Sequence, residues 1–183
     1  MAPGDDERES QSRDRLWLVT SDKLQATSQP TSLILMKIYL GSDHRGFHLK
    51  EELKPWLIQQ GHEVVDVGAS SLVPDDDYVE YAKRVADSVS TEELQHRDGR
   101  GVLLCASGVG VDIVANRFKN IRCGLGISPE QIREAREDDD INVLALAADY
   151  IDIETAKETV KAFLETEFSR KERYVRRLKQ LDE

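Results

Sequence analysis

The segment Gly101-Val-Leu-Leu-Cys-Ala-Ser-Gly-Val-Gly-Val-Asp-Ile-Val-Ala-Asn116 carries a cysteine at the end of an apolar run. A small-residue loop with two glycines follows, and then the apolar spacing of a helix. Strand, glycine loop and helix start in that order bring the Cys105 thiol beside a ring of backbone N–H groups. Donors so arranged hold an anion and favour a thiolate. They also stabilise an oxyanion, so proton transfer beside a carbonyl is within the chemistry of the segment. Free cysteine is equally at home as a small apolar core residue. The local context of Cys105 leaves both readings open.

Three further groups invite chemistry. Asp43-His44 follows the first strand; an Asp there often caps the next helix, while two polar side chains at the edge that carries Cys105 suit a ligand. Arg173 and Arg177 lie four apart, on one face of a helix. They read as a solvated basic end or as a two-arginine phosphate clamp. Asp138-Asp139-Asp140 ends a helix, where negative charge opposes the macrodipole. The glycine loop itself is a poor dinucleotide fingerprint. Gly108 and Gly110 supply two of three glycines, Ile113 takes the third place, and Cys123 to Gly126 ends on no acidic residue. No Gly-Lys-Ser/Thr follows, so it is not a Walker loop either.

The elements that must position these residues alternate. Lys37 to Leu40 reads as a strand, Phe47 to Gln60 as a helix in which Pro55 should produce a kink, and Val64 to Val67 as a second strand. A helix from Tyr78 to Val89, a strand from Val102 to Cys105 and a helix from Val111 to Phe118 follow. Then come a strand from Arg122 to Gly126, a helix opened by Ser128-Pro129 and ending near Glu137, and a strand from Val143 to Ala147. Ile153, Ala156, Val160, Phe163 and Leu164 mark a last long helix. Five such alternations predict a parallel five-stranded sheet covered on both faces, with ligands beyond the carboxyl ends of the strands. Residues 1–35 are polar, acidic and Ser/Thr/Gln-rich and read as disordered, or as an extension ahead of Met36.

The chain of 183 residues is 39% hydrophobic and 33% charged, with a formal charge of −10. That balance excludes nucleic acid and anionic membranes as partners. No apolar run reaches the ~20 residues of a membrane span. Two cysteines, Cys105 and Cys123, form neither a zinc pattern nor a disulfide framework, which fits a cytoplasmic setting with no metal and no cofactor.

Taken together, Gly41-Ser-Asp-His-Arg-Gly-Phe47, Asp77-Tyr78, the Cys105 loop, Ala115-Asn116, Ala135-Arg-Glu137, Asn142-Val-Leu144 and Arg173-x-x-x-Arg177 resemble the ribose-5-phosphate isomerase B and galactose-6-phosphate isomerase (RpiB/LacA/LacB) family. The resemblance runs from Met36 to about Leu181. It implies a Rossmann-like three-layer αβα sandwich, a homodimer that can pair into a tetramer, and metal-free aldose–ketose isomerisation of a phosphorylated sugar. It also implies active sites built from two subunits. On matching positions, Cys105 is the base that moves a proton between C1 and C2. Ala106, Ser107, Gly108, Val109 and Gly110 form the loop that holds the enediolate. Asp43, His44 and Tyr78 contact substrate, and Arg173 and Arg177 bind its phosphate.

The sequence departs from the family pattern in a few places. Where family members read His-Asn-Asp, with the His opening the sugar ring, this chain reads Asp138-Asp139-Asp140. Where Gly-x-Arg is common after the fifth strand, it reads Ala147-Ala-Asp149. Each change is expected to make the pocket more acidic. Val111 stands where some members carry a Glu base, so Cys105 has no substitute unless Asp112 turns inward. On these positions Asp138, protonated in the acidic cluster, is a candidate to open the ring itself, with Asp139 as a substrate contact. Alternatively, a four-carbon sugar phosphorylated at C4 cannot close a furanose ring and would not need the missing His. A tetrose or hexose phosphate, or a non-catalytic relative that only binds sugar phosphate, are the alternatives to a ribose 5-phosphate type of substrate.

Overall fold

The structure is a computed structural model and describes residues 35–181. The reading of residues 1–35 therefore falls, but for Leu35, outside the described residues. The elements run β1 (Lys37–Ser42), α1 (Phe47–Gln59), β2 (Glu63–Asp66), α2 (Tyr78–Leu94), β3 (Gly99–Cys105) and α3 (Val109–Ala115). They continue with β4 (Cys123–Gly126), α4 (Pro129–Asp139), β5 (Val143–Ala147), α5 (Ile153–Glu165) and α6 (Glu172–Leu181). All strand pairs are parallel, in the order β2-β1-β3-β5-β4. The result is the three-layer Rossmann-like sandwich expected.

The period-2 alternation of β3 divides the core. Val102 and Leu104 point to one face, where Leu53 and Leu57 of α1, Ile132 of α4 and Phe163 of α5 pack with Leu40 and Leu144. Leu103 and Cys105 point to the other, against Val85 and Val89 of α2 and Val111 and Ala115 of α3. The steps β1→β2 and β4→β5 move one way along the sheet and place α1 and α4 on the first face. The steps β2→β3 and β3→β4 move the other way and place α2 and α3 on the second. One hand of crossover throughout accounts for this distribution.

Helix α1 runs from Phe47 to Gln59 with Pro55 inside it, and the chain turns left-handed at Gly61, at φ +88°. One element differs from the sequence reading for a visible reason. Strand β3 begins at Gly99, three residues before the apolar run, because Lys37 pairs with Gly99 and Tyr39 with Gly101. A Cβ at Gly99 would stand 2.5 Å from Glu92 Cγ, and one at Gly101 2.8 Å from Val85 Cγ1. Glycine is required there by the helix above, and glycine erased the strand pattern.

Two buried charges fasten this framework. The ammonium of Lys50, fully buried, donates to Asp66 Oδ2 at 2.7 Å, to Glu51 Oε1 at 2.7 Å and to the Ala69 carbonyl at 2.9 Å. It ties α1 to the loop after β2. Glu92, 3% exposed, accepts from Tyr39 Oη at 2.6 Å and from Arg97 Nε at 2.5 Å. The Tyr39 and Arg97 bonds hold the Glu92 carboxyl below its usual range. Burial raises Asp66, but bonds from Lys50 and Lys54 outweigh it, so that carboxyl too lies below its ordinary value. Carboxyls lowered by folding stabilise the native state fully above their unfolded values of roughly 4 and lose that contribution as pH falls through the folded values. The thermal midpoint is expected to fall steeply below pH ~4. Glu92→Gln should flatten that acid limb; an unchanged limb would show that Glu92 has no part in it.

Candidate active site

Parallel pairing brings the ends of β1, β3 and β5 to one edge. Cys105 closes β3 there, paired with Ala147 of β5 and 5% exposed. Its carbonyl accepts from Ala148 N at 2.9 Å and the Ala106 carbonyl from Asp149 N at 3.0 Å. The chain leaves the sheet through Ala106 and exposed Ser107, whose Oγ lies 3.4 Å from Val109 N. Gly108 is left-handed (φ +72°) and opens α3. A Cβ on it would sit 2.4 Å from Leu125 Cδ1 and 3.1 Å from the Leu146 carbonyl carbon. A Cβ on Gly110 would stand 2.8 Å from Tyr78 Cζ. The Tyr78 ring therefore lies on the first turn of α3, directly after the glycine loop.

The loop after β1 reaches the same edge. Asp43 Oδ1 accepts from Arg45 N and Gly46 N, both at 3.0 Å, so one oxygen of this buried carboxylate serves the turn into α1. His44 is held twice by Asp76 Oδ1, through its backbone N at 2.8 Å and its Nδ1 at 2.7 Å. Burial raises the Asp76 carboxyl, but the two His44 bonds outweigh it and leave it below the usual range. Asp77 caps α2 by accepting from Val79 N at 3.0 Å. Asp149 does not simply add negative charge: Arg45 Nη2 donates to its Oδ2. Sequence reasoning missed both Asp76 and Arg45. Asp76 sits in a run of three aspartates with no local mark to single it out.

The remaining candidates lie elsewhere in the chain. Helix α4 starts from the carboxyl end of β4 and runs back, so Asp138 and Asp139 end at the amino edge. From there to the Cys105 edge β5 rises about 13 Å. Asp140, left-handed at φ +48°, accepts from Arg136 Nη1 at 2.7 Å and Arg122 Nη2 at 3.0 Å. Its charge opposing the α4 dipole is offset by these two arginines. Ser169 N donates to the Glu137 carbonyl at 3.0 Å, which starts the approach to α6 beside the last turn of α4. On α6 both candidate arginines gather on the buried Tyr174. The Arg173 guanidinium lies 4.3 Å and that of Arg177 5.8 Å from its ring centre, and Arg173 also donates to its hydroxyl. Asp112 does not turn toward Cys105. Its Oδ1 accepts from Asn116 Nδ2 at 3.1 Å, and it stands by Cys123, whose thiol is pushed well up by burial first and by Asp112 second. Among the described residues no three His, Cys, Asp or Glu side chains gather as metal ligands would, and no helix is long and apolar enough to cross a membrane.

One set of residues thus joins a buried strand-end cysteine to a glycine loop, and a second set carries two arginines on a separate face. The model of the ribose/galactose isomerase family matches residues 38–181. The chain belongs to that family. Ribose-5-phosphate isomerase B of Escherichia coli (strain K12) is 39% identical over 134 residues, which are 73% of this chain and 87% of that protein. Ribose-5-phosphate isomerase B of Mycolicibacterium paratuberculosis is 36% identical over 143 residues, 78% of this chain and 87% of its own length. Among solved structures, the Thermotoga maritima ribose 5-phosphate isomerase superposes with a TM-score of 0.75 at 39% identity, covering 80% of this chain and 97% of that one. Ribose-5-phosphate isomerase B of Mycoplasma genitalium, solved with bound ribulose-5-phosphate, gives 0.75 at 31% identity and covers 80% and 94%. The protein is accordingly an aldose–ketose isomerase of the ribose-5-phosphate isomerase B type.

Proposed function

We propose that this chain interconverts an aldose phosphate and a ketose phosphate of the ribose 5-phosphate/ribulose 5-phosphate type through an enediolate, without a metal. The observation that carries the reading is Cys105 at the end of β3, beside a loop that only glycine can form at 108, with the Tyr78 ring on the turn of α3 directly after it. The Cys105 thiolate takes the proton from C2 of the open-chain aldose. The electron pair moves into the C1–C2 bond, and the carbonyl oxygen becomes the enediolate oxygen, met by N–H groups of residues 106–110. The same thiol returns the proton to C1, the O2 hydroxyl gives its proton to O1, and the product carries an alcohol at C1 and a ketone at C2. Incubation with sugar phosphates of four, five and six carbons in D2O tests this: deuterium should enter at C1 or C2 of one of them. No exchange with any would leave a binding protein only. A four-carbon aldose 4-phosphate is the second reading, favoured by Asp138, since an acyclic substrate needs no ring-opening His.

The working unit in this reading is a cytoplasmic homodimer, single or paired into a tetramer. Cys105, Asp43 and His44 lie at one edge of the sheet. Asp138 and Asp139 lie at the other, with α6 tied in beside the end of α4. A second copy can bring Arg173 and Arg177 to the phosphate of a sugar bound at Cys105. Mixing Cys105→Ala protein with Arg173→Met/Arg177→Met protein under conditions of subunit exchange is the test. Each mixed dimer holds one intact site, so activity should recover to about a quarter of wild type. No recovery despite verified exchange would assign both groups to one chain.

A further inference from the structure

Five loops follow the strands at the Cys105 edge: residues 43–46, 67–77, 106–108, 127–128 and 148–152. They contain six aspartates, at 43, 75, 76, 77, 149 and 152, and a single Lys or Arg, which is Arg45. An anionic intermediate at this edge has one cationic side chain of its own loops to meet it.

The sheet order places Arg45 over the reacting strand. β3 lies between β1 and β5, whose axes are about 10 Å apart. The ion pair from Arg45, after β1, to Asp149, after β5, must cross the end of β3. Both partners are anchored on the backbone that flanks Cys105. Gly46 lies so close that a Cβ on it would be 2.7 Å from the Leu104 carbonyl oxygen, and Asp149 N donates to the Ala106 carbonyl at 3.0 Å. Asp149 engages Nη2 of the guanidinium; the other side-chain donors of Arg45 make no hydrogen bond among the described residues. The Arg45 side chain is 54% exposed and that of Asp149 33%. A pair this open adds little stability, so folding alone is a weak reason for it. A planar fork with one side fixed and the other free is suited to oxygen ligands.

We propose that Arg45 contacts the substrate at its reacting end and stabilises the negative charge that develops on the C1–C2 oxygens. Asp149 is a positioning residue that holds the guanidinium over β3. This rests on the isomerase reading above. Full-length Arg45→Met, Arg45→Lys, Asp149→Asn and the Arg45→Met/Asp149→Asn double variant are assayed on the sugar phosphate that the wild type turns over, and their unfolding midpoints are measured. Arg45→Met lowers kcat about 100-fold and leaves KM within about threefold, because charge stabilisation is realised in the transition state. Arg45→Lys recovers part of the loss, and Asp149→Asn lowers kcat by about tenfold. The double variant is no worse than Arg45→Met, since Asp149 acts through Arg45. Midpoints stay near wild type. A kcat of Arg45→Met within about twofold of wild type, or a loss confined to KM, overturns the proposal. Should the wild type exchange no sugar-phosphate deuterium, the isomerase reading fails on its own. Calorimetry with a phosphorylated aldonohydroxamate, a stable enediolate mimic, then decides for Arg45: affinity unchanged in Arg45→Met overturns its assignment.

Discussion

Cys105→Ala lowers sugar-phosphate isomerisation about 1,000-fold while sugar phosphate still binds. The size follows from losing a positioned general base, worth 10²–10⁴ in rate, at a place where the family's alternative carboxylate is absent. Val111 is a buried core residue and Asp112 is engaged with Asn116, so neither takes over the proton. The substitution removes one small atom from a cluster that includes Leu103, Val111 and Ala145, and the loop backbone that receives the enediolate is untouched. Deuterium exchange at C1 and C2 is the direct measurement, with calorimetry for binding. Exchange within about tenfold of wild type would move the base to another residue.

Gly108→Ala has the second large effect, on stability and activity together. Its left-handed backbone costs a residue with a Cβ about 1–2 kcal/mol, and forcing the methyl against Leu125 and the β5 backbone costs about 1–3 kcal/mol more. Leu125 can shift; the Leu146–Ala147 peptide, at 3.1–3.2 Å, belongs to a paired strand and cannot do so freely. A total of about 2–5 kcal/mol should appear in urea unfolding, with activity falling because the same loop receives the enediolate. A variant as stable and active as wild type would mean that the loop has another conformation open to it.

Both effects were foreshadowed in the sequence because they are local. A cysteine, two glycines and a helix start lie within six residues, and Ser128-Pro129 and the run Val143–Ala147 likewise carry their own boundaries. Helix α2 and strand β3 show where local signals end. The sequence reading ends this helix at Val89, yet α2 runs to Leu94, and its Glu92 is drawn inward by Tyr39, 53 residues away. The stem of the same side chain demands Gly99, which hides the start of β3. At the site, the pair Arg45–Asp149 spans 104 residues and His44–Asp76 spans 32. Nothing near either residue announces its partner; only the strand order does. Counting charge along the chain likewise cannot see that Asp149 is paired with an arginine contributed by another strand's loop.

Asn116 has a consequence for what this sheet can join. β4 is an outer strand, with a backbone row that another chain could extend. The Asn116 amide donates to the Cys123 carbonyl at 3.0 Å and accepts from the Cys123 N–H at 2.8 Å. It thereby imitates one residue of a neighbouring strand, so the first residue of β4 has no free bond to offer. The sheet carries its own terminus on this side, and a foreign strand seeking to prolong it meets a side chain already in its place.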